Sequence, residues 1–198
     1  MELGRLEQQI KFILEIDKLK TIVRQNFIAD GSRRENDSEH SWHMAMMAVT
    51  LSEYFEGADL LKTVKMVLIH DLVEIYAGDT FAYDEAAYRD KDEREQKAAD
   101  KLFSMLPPDQ EKEFRELWQE FERIDTKEAV FAATLDRMQP LLLNLSTEGK
   151  MWKIRKVTKD MVLKRNKLVL ERAPEIVADY VRKRIEQAEE SGWFCSKE

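Results

Sequence analysis

The 198 residues suit one domain with a substantial core, and 43% hydrophobic with 36% charged residues describes a globular chain rather than a disordered one. A net charge of −7 argues against broad binding to nucleic-acid polymers or anionic membranes, while leaving room for a local basic pocket that takes a small phosphate. Cys195 is the single cysteine, the start Met1-Glu2-Leu3-Gly4-Arg5 has no signal-peptide core, and no apolar run approaches the ~18 residues that span a bilayer, so a soluble cytoplasmic protein is expected.

Six Gly and four Pro favour long helices with short connections, and strand-like β-branched alternation is absent. A first helix is expected over residues 6–27, on the stripe Leu6, Ile10, Ile13, Leu14, Leu19, Ile22 and Val23, with Arg24 near its end. Asp30-Gly31-Ser32 signals a turn, and Arg33 and Arg34 follow as a short basic patch. Asn36, with Glu39 three residues on, resembles a capping box, although Asp37 or Ser38 could serve as the cap. The helix it opens runs to about residue 55, with His40, Met44, Met47 and Leu51 on one face and Trp42 and Met46 also read as core. Gly57 breaks it, and Asp59 caps a third helix over residues 60–76.

That third helix ends in titratable groups. His70 and Asp71 follow directly on an apolar run, Glu74 lies one turn on, Gly78 closes the helix and Asp79 follows. An ionised Asp in such a place is costly unless paired, hydrogen-bonded or bound to metal. A loop or short helix with Phe81, Tyr83 and Tyr88 comes next, its aromatics equally suited to loop packing and to stacking on a base. Charged amphipathic helices are expected over 90–105 and 109–123, separated by Pro107-Pro108. The most apolar helix, 126–145, carries Asp136 in its middle, beside Arg137 and before Pro140, which should kink it. Helices over 160–171 and 174–190 close the chain as scaffold or dimer elements.

The anomalies, His40, His70, Asp71 and Asp136, make a mixed nitrogen and oxygen donor set suited to one divalent cation, Mn, Co, Fe, Zn, Ni or Mg. In that order, with 30 residues from His40 to His70 and 65 from Asp71 to Asp136, they resemble the signature of the HD-domain phosphohydrolase superfamily: His, then His-Asp, then a distant Asp. The blocks Arg34-Glu35-Asn36-Asp37-Ser38-Glu39-His40-Ser41 and His70-Asp71-Leu72-Val73-Glu74-Ile75-Tyr76-Ala77-Gly78-Asp79 are similar to the branch that holds the bacterial 5′-deoxynucleotidases.

The resemblance implies an all-α, compact HD-domain bundle in one domain, 1–198. Its signature elements span 24–145, and 146–198 is C-terminal scaffold. It implies metal ligation by His40, His70, Asp71 and Asp136, and Glu74 acting on the nucleophilic water. Asp79 would lie near the substrate sugar and that water, and Arg24 on the phosphate. A homodimer is implied in the same way. Arg24, Arg33 or Arg34 could neutralise phosphate oxygens with paired donors, Arg34 being the stronger candidate of the last two. His43 reads as packing or support, and Glu39 as a cap. The resembling nucleotidases carry Trp where this chain has Gln25.

The expected activity is hydrolysis of a (deoxy)nucleoside 5′-monophosphate to nucleoside and phosphate. The chain has three histidines, none between His70 and Asp136, which weighs against a second metal. The rival readings are a single-metal hydrolase of another phosphate ester or signalling nucleotide, and a non-catalytic nucleotide-sensing helical module.

Overall fold

The protein, described for residues 3–84 and 89–196 in a computed structural model, is a stack of helices with one small strand hairpin. Tyr88 lies outside the described residues. Helix α1, Leu3–Ile16, is followed by a 3₁₀ turn, Asp17–Thr21, and by strand β1, Val23–Phe27, paired antiparallel with β2, Arg34–Asn36. This corrects the expected helix over residues 6–27, while the all-α class expected for the chain holds, with one small hairpin beside the helices. The apolar spacing continues past Ile16, but backbone pairing of Val23 with Asn36 and of Phe27 with Arg34 outweighs it. The hairpin turns through Gly31, at φ +70°, whose N–H donates to Ile28 O at 2.8 Å.

Helix α2, Asp37–Leu51, starts on a complete capping box. Glu39 N–H donates to Asn36 Oδ1 at 3.0 Å, and Asn36 N–H donates to Glu39 Oε2 at 3.1 Å. The first turn is thereby fixed, with Asp37, His40, Met44 and Met47 facing inward. Trp42 and Met46, expected in the core, instead stand 64% and 46% exposed on the opposite face.

Helix α3, Leu60–Ile69, begins at the Asp59 cap and stops sooner than expected. The chain turns through residues 70–73 before the single-turn α4, Glu74–Ala77, which Gly78 ends at φ +78°. The interruption places His70 and Asp71 at a helix end instead of inside a helix. Then come α5, Lys91–Phe103; α6, Pro108–Arg123; α7, Lys127–Ser146; α8, Lys150–Ile154; α9, Lys159–Arg165; α10, Lys167–Arg172; and α11, Glu175–Glu190. The expected helix over 160–171 is divided at Asn166, and α8 is an element the sequence did not suggest.

Helix α7 is the axis, packed by α2, α3, α6, α10 and α11. Phe131 on α7 stacks on Phe55 with ring centroids 3.8 Å apart, inside one continuous apolar cluster. Four polar side chains on the same helix, Thr134, Asp136, Gln139 and Asn144, are buried as well. No helix among the described residues is long and apolar enough to cross a membrane.

Replacing Asn36 with Ala removes half the capping box that orients the first turn of α2, and should cost about 1 kcal/mol of stability in urea denaturation. A loss near zero would show that tertiary packing alone holds that turn.

Candidate metal centre

Three helices and one turn bring the four signature residues together. His40 comes from the first turn of α2, His70 and Asp71 from the end of α3, and Asp136 from the middle of α7. His40 Nε2 lies 3.5 Å from Asp136 Oδ1 and 3.8 Å from Asp71 Oδ2, and His70 Nε2 lies 3.1 Å from Asp71 Oδ2. The two imidazole centroids are 5.6 Å apart. Phe121 covers the His70 ring at 4.7 Å between centroids. Pro140 has no N–H to offer the Asp136 carbonyl one turn earlier, so the α7 ladder is interrupted beside the site.

The two aspartates each have a guanidinium. Arg24, on β1 and not on a helix, donates from Nη1 to Asp71 Oδ2 at 2.7 Å and to Asp37 Oδ1 at 3.0 Å. Arg165, on α9, donates from Nη2 to Asp136 Oδ2 at 2.8 Å. Burial would raise both carboxyls, but His70 and Arg24 hold Asp71 below the ordinary carboxylate range, and Arg165 holds Asp136 well below it. Burial, aided by the Arg24 charge, pushes His40 down to about 4, so its ring is neutral. Burial also opposes charge on His70, yet the Asp71 carboxylate outweighs it and raises that pKa.

Other acids in the cluster go the opposite way. Glu74 is 6% exposed, and burial together with Asp71 and Asp37 lifts its pKa well above the usual value. Burial and Asp71 push Asp37 up to about 6, and burial and Asp71 also raise Asp79 against the pull of Arg24.

The donor set fits a divalent cation. Ligand atoms of His40, His70 and Asp71 lie within 4.8 Å of one another, as do those of Asp37, Asp71 and Glu74. His40 Nε2, His70 Nε2, Asp37 Oδ2 and Glu74 Oε2 are buried without a hydrogen-bond partner in the protein. The His70 Nδ1–H donates to Val67 O at 2.8 Å, which turns Nε2 toward the carboxylates. A neutral imidazole nitrogen facing two carboxylate oxygens is acceptor against acceptor, an arrangement that a bound cation relieves.

A cavity of about 300 Å³ opens beside these groups. Arg24, His70, Asp71, Glu74, Asp79 and Asp136 all line it. Arg34 does not: it lies on β2, donates to Gln25 Oε1 at 2.7 Å, and reaches the cavity only through Gln25, which does line it. Arg155 donates to the same Gln25 oxygen. Arg33 pairs with Glu39 at the surface. His43 stands 3.2 Å from Gln139 Nε2, in a supporting position.

Several lining residues escaped the sequence reading. Met151, Trp152, Arg165 and Asn166 come from the segment read as scaffold, and Asn26, Lys91 and Asn144 also face the cavity. Gln139 and Glu35, behind His40, were missed too. A buried amide one turn after an anomalous Asp was the available signal for Gln139.

Comparison with known proteins agrees with this geometry. The family model described as HD domain matches residues 16–177. A crystal structure from Magnetospirillum magnetotacticum, described as a predicted metal-dependent phosphohydrolase, is 49% identical, covers 97% of this chain and 96% of its own, and superposes with a TM-score of 0.92. The 5′-deoxynucleotidases HDDC2 of Bos taurus and Homo sapiens are each 31% identical over 134 residues, 67% of this chain. Those matches span 64% and 65% of the relatives' own lengths, a little under two thirds. On the family match, the neighbouring fold and the convergent His and Asp side chains together, the chain belongs to the HD-domain family.

Proposed function

We propose that the chain is a metal-dependent phosphohydrolase that cleaves (deoxy)nucleoside 5′-monophosphates to nucleoside and phosphate. One observation carries the reading: four donor side chains from three separate elements meet with unpartnered imidazole nitrogens turned toward carboxylate oxygens. In this reading His40, His70, Asp71 and Asp136 hold one divalent cation, Mn, Co, Fe, Zn, Ni or Mg. Such a cation supplies Lewis acidity toward a phosphoryl oxygen and lowers the pKa of water at its open position.

The chain's own groups do the rest. Glu74, with one buried oxygen unpartnered and its proton affinity raised, takes the proton of the attacking water as the P–O bond to the nucleoside breaks, and the departing 5′-oxygen takes up a proton from solvent to leave as the hydroxyl. Asp79, protonated more readily than an exposed Asp, offers hydrogen bonds to the sugar and the water. Arg24 lines the cavity with its Nε unpartnered and neutralises phosphate oxygens while keeping Asp71 ionised.

Cavity size and charge support a small phosphorylated substrate. About 300 Å³ admits a mononucleotide and excludes a polymer. Among the described residues lining it, Arg24, Lys91, Arg137 and Arg165 are the arginines and lysines, cations that suit such a substrate. Phe81, Tyr83 and Trp152 supply an apolar wall for a base or sugar. The names carried by the HDDC2 relatives support the same class. Gln25 favours a second reading, another phosphate ester, because its side chain is committed to Arg34 and Arg155 at the wall where the resembling nucleotidases place Trp.

The reading extends to a homodimer acting on the nucleotides of the cytoplasm. Trp42, Met46 and Val49 on α2, with Leu61 and Leu68 on α3, are between 45% and 67% exposed, an apolar area suited to a second copy. In sedimentation velocity the protein should run as a dimer, and Trp42→Glu should shift it toward monomer. A wild-type monomer at assay concentration would remove this assignment.

Protein stripped of metal and replenished with each divalent ion should release phosphate from deoxynucleoside 5′-monophosphates in a metal-dependent way, with ribonucleotides and non-nucleotide phosphate esters run beside them. Turnover confined to a non-nucleotide ester would select the second reading, and none with any metal would end both. Glu74→Ala should retain cation binding and lose turnover about a hundredfold or more. Turnover like that of the wild type would take Glu74 out of the chemistry.

A further inference from the structure

We infer that Gln139 and Glu35 form a polar strut that sets the tautomer of His40 and so presents its Nε2 lone pair to the cation. The assignment rests on the reading of His40 as a ligand, given above.

The three side chains come from α7, β2 and α2, and all are buried: Gln139 and His40 at 0% and Glu35 at 3% exposure. His40 Nδ1 lies 2.9 Å from Gln139 Oε1. The amide nitrogen of Gln139 donates to Glu35 Oε1 at 2.5 Å, and its second N–H is directed at His43 Nδ1, 3.2 Å away. In this orientation every contact has one donor and one acceptor, and His40 Nδ1 carries the ring proton.

The reversed amide fails on geometry. It would set an NH₂ group against His40 Nδ1 and drive the ring proton to Nε2. There the nearest acceptors are Asp136 Oδ1 at 3.5 Å and Asp71 Oδ2 at 3.8 Å, too far for a good hydrogen bond. It would also turn the amide oxygen toward the Glu35 carboxyl, acceptor against acceptor whenever Glu35, which burial lifts to about 7, is ionised. Glu35 is therefore the group that orients Gln139, and Gln139 the group that orients His40. Neither touches the cavity, so both are positioning residues.

The strut also joins two ligands to one helix. Asp136 and Gln139 are three residues apart on α7, on one face. A single rigid element thus carries one ligand and the support of another. Residues behind imidazole ligands commonly fix the ring and its basicity in this way. A tie that merely joined β2 to α7 would leave the His40 tautomer and the cation affinity alone when replaced.

The test uses ¹⁵N-histidine-labelled full chain. Long-range ¹H–¹⁵N spectra before metal addition read the His40 tautomer, and visible-absorption titration with Co²⁺ reads affinity. Wild-type His40 should carry its proton on Nδ1. Gln139→Leu should lose that preference and bind Co²⁺ about ten- to a hundredfold more weakly. Glu35→Gln should weaken binding less, since the amide can then pair in either orientation. The exchanged pair Glu35→Gln with Gln139→Glu restores an acceptor for His40 and a donor for residue 139, and should recover both readouts.

A wild-type His40 protonated on Nε2, a folded Gln139→Leu with wild-type Co²⁺ affinity, or a folded exchanged pair without recovery would overturn the strut. If Gln139→Leu fails to fold, the wild-type spectrum and Glu35→Gln still decide. Wild-type protein that binds no Co²⁺ would refute His40 as a ligand, whereas the tautomer spectrum judges the strut separately.

Discussion

Two ionised carboxylates inside the protein set the terms for everything around them. Removing a charge from water costs several kcal/mol per ion unless partners compensate closely. Asp71 and Asp136 each keep their charge through a guanidinium at 2.7 or 2.8 Å. Asp136 divides its two oxygens, Oδ2 to Arg165 and Oδ1 toward His40 Nε2. The arginine both stabilises the charge and aims the carboxylate. The imidazoles, held from behind, bring His40 Nε2 within 3.8 Å of both carboxylates and His70 Nε2 to 3.1 Å from Asp71.

The fold answers to that requirement. The central helix α7 brings Asp136 and Gln139 in among apolar neighbours, and the early stop of α3 turns His70 and Asp71 toward it. The hairpin contributes Arg24 and Glu35 from opposite strands. Helix α9 brings Arg165 to Asp136 from late in the chain. A bundle of straight helices alone would lack Arg24, and Arg165 is the last residue of α9, just before the break at Asn166. The departures from simple helical packing, a short strand pair and a divided helix, coincide with the residues that neutralise the aspartates.

This explains which parts of the molecule were legible in the sequence. His40, His70-Asp71 and Asp136 stood out because each interrupts an apolar stripe, where a polar side chain needs a reason. The cap at Asn36 and the helix boundaries near Pro108 and Thr126 were legible for a similar reason, their local chemistry being strong. Strand β1 was not, since Val23-Arg24-Gln25-Asn26-Phe27 carries no alternation and becomes a strand only through its partner. The same pairing explains Arg34. On β2 successive side chains point to opposite sides, so a buried Glu35 puts its neighbour Arg34 on the other side of the strand, where it meets Gln25. Arg165 was hidden by distance, one charge among many in a polar helix whose role depends on where α9 folds back.

Environment, more than residue type, assigns the roles of the carboxyl groups. Asp71 and Asp136 have arginines and stay anionic. Glu74 shares the same small volume, and its two acidic neighbours raise its hold on a proton. Asp37 stands at the first position of α2, where the helix dipole favours an anion, yet burial and Asp71 still carry it to about 6. Arg24 is the pivot of this division, because it touches and lowers Asp71, restrains Asp37 by direct contact, and restrains Glu74 and Asp79 at longer range. Its charge therefore governs which carboxyls are free to accept a proton, and in the function proposed above the same guanidinium meets the phosphate. A strand carries it to the cavity wall in a chain made mostly of helices.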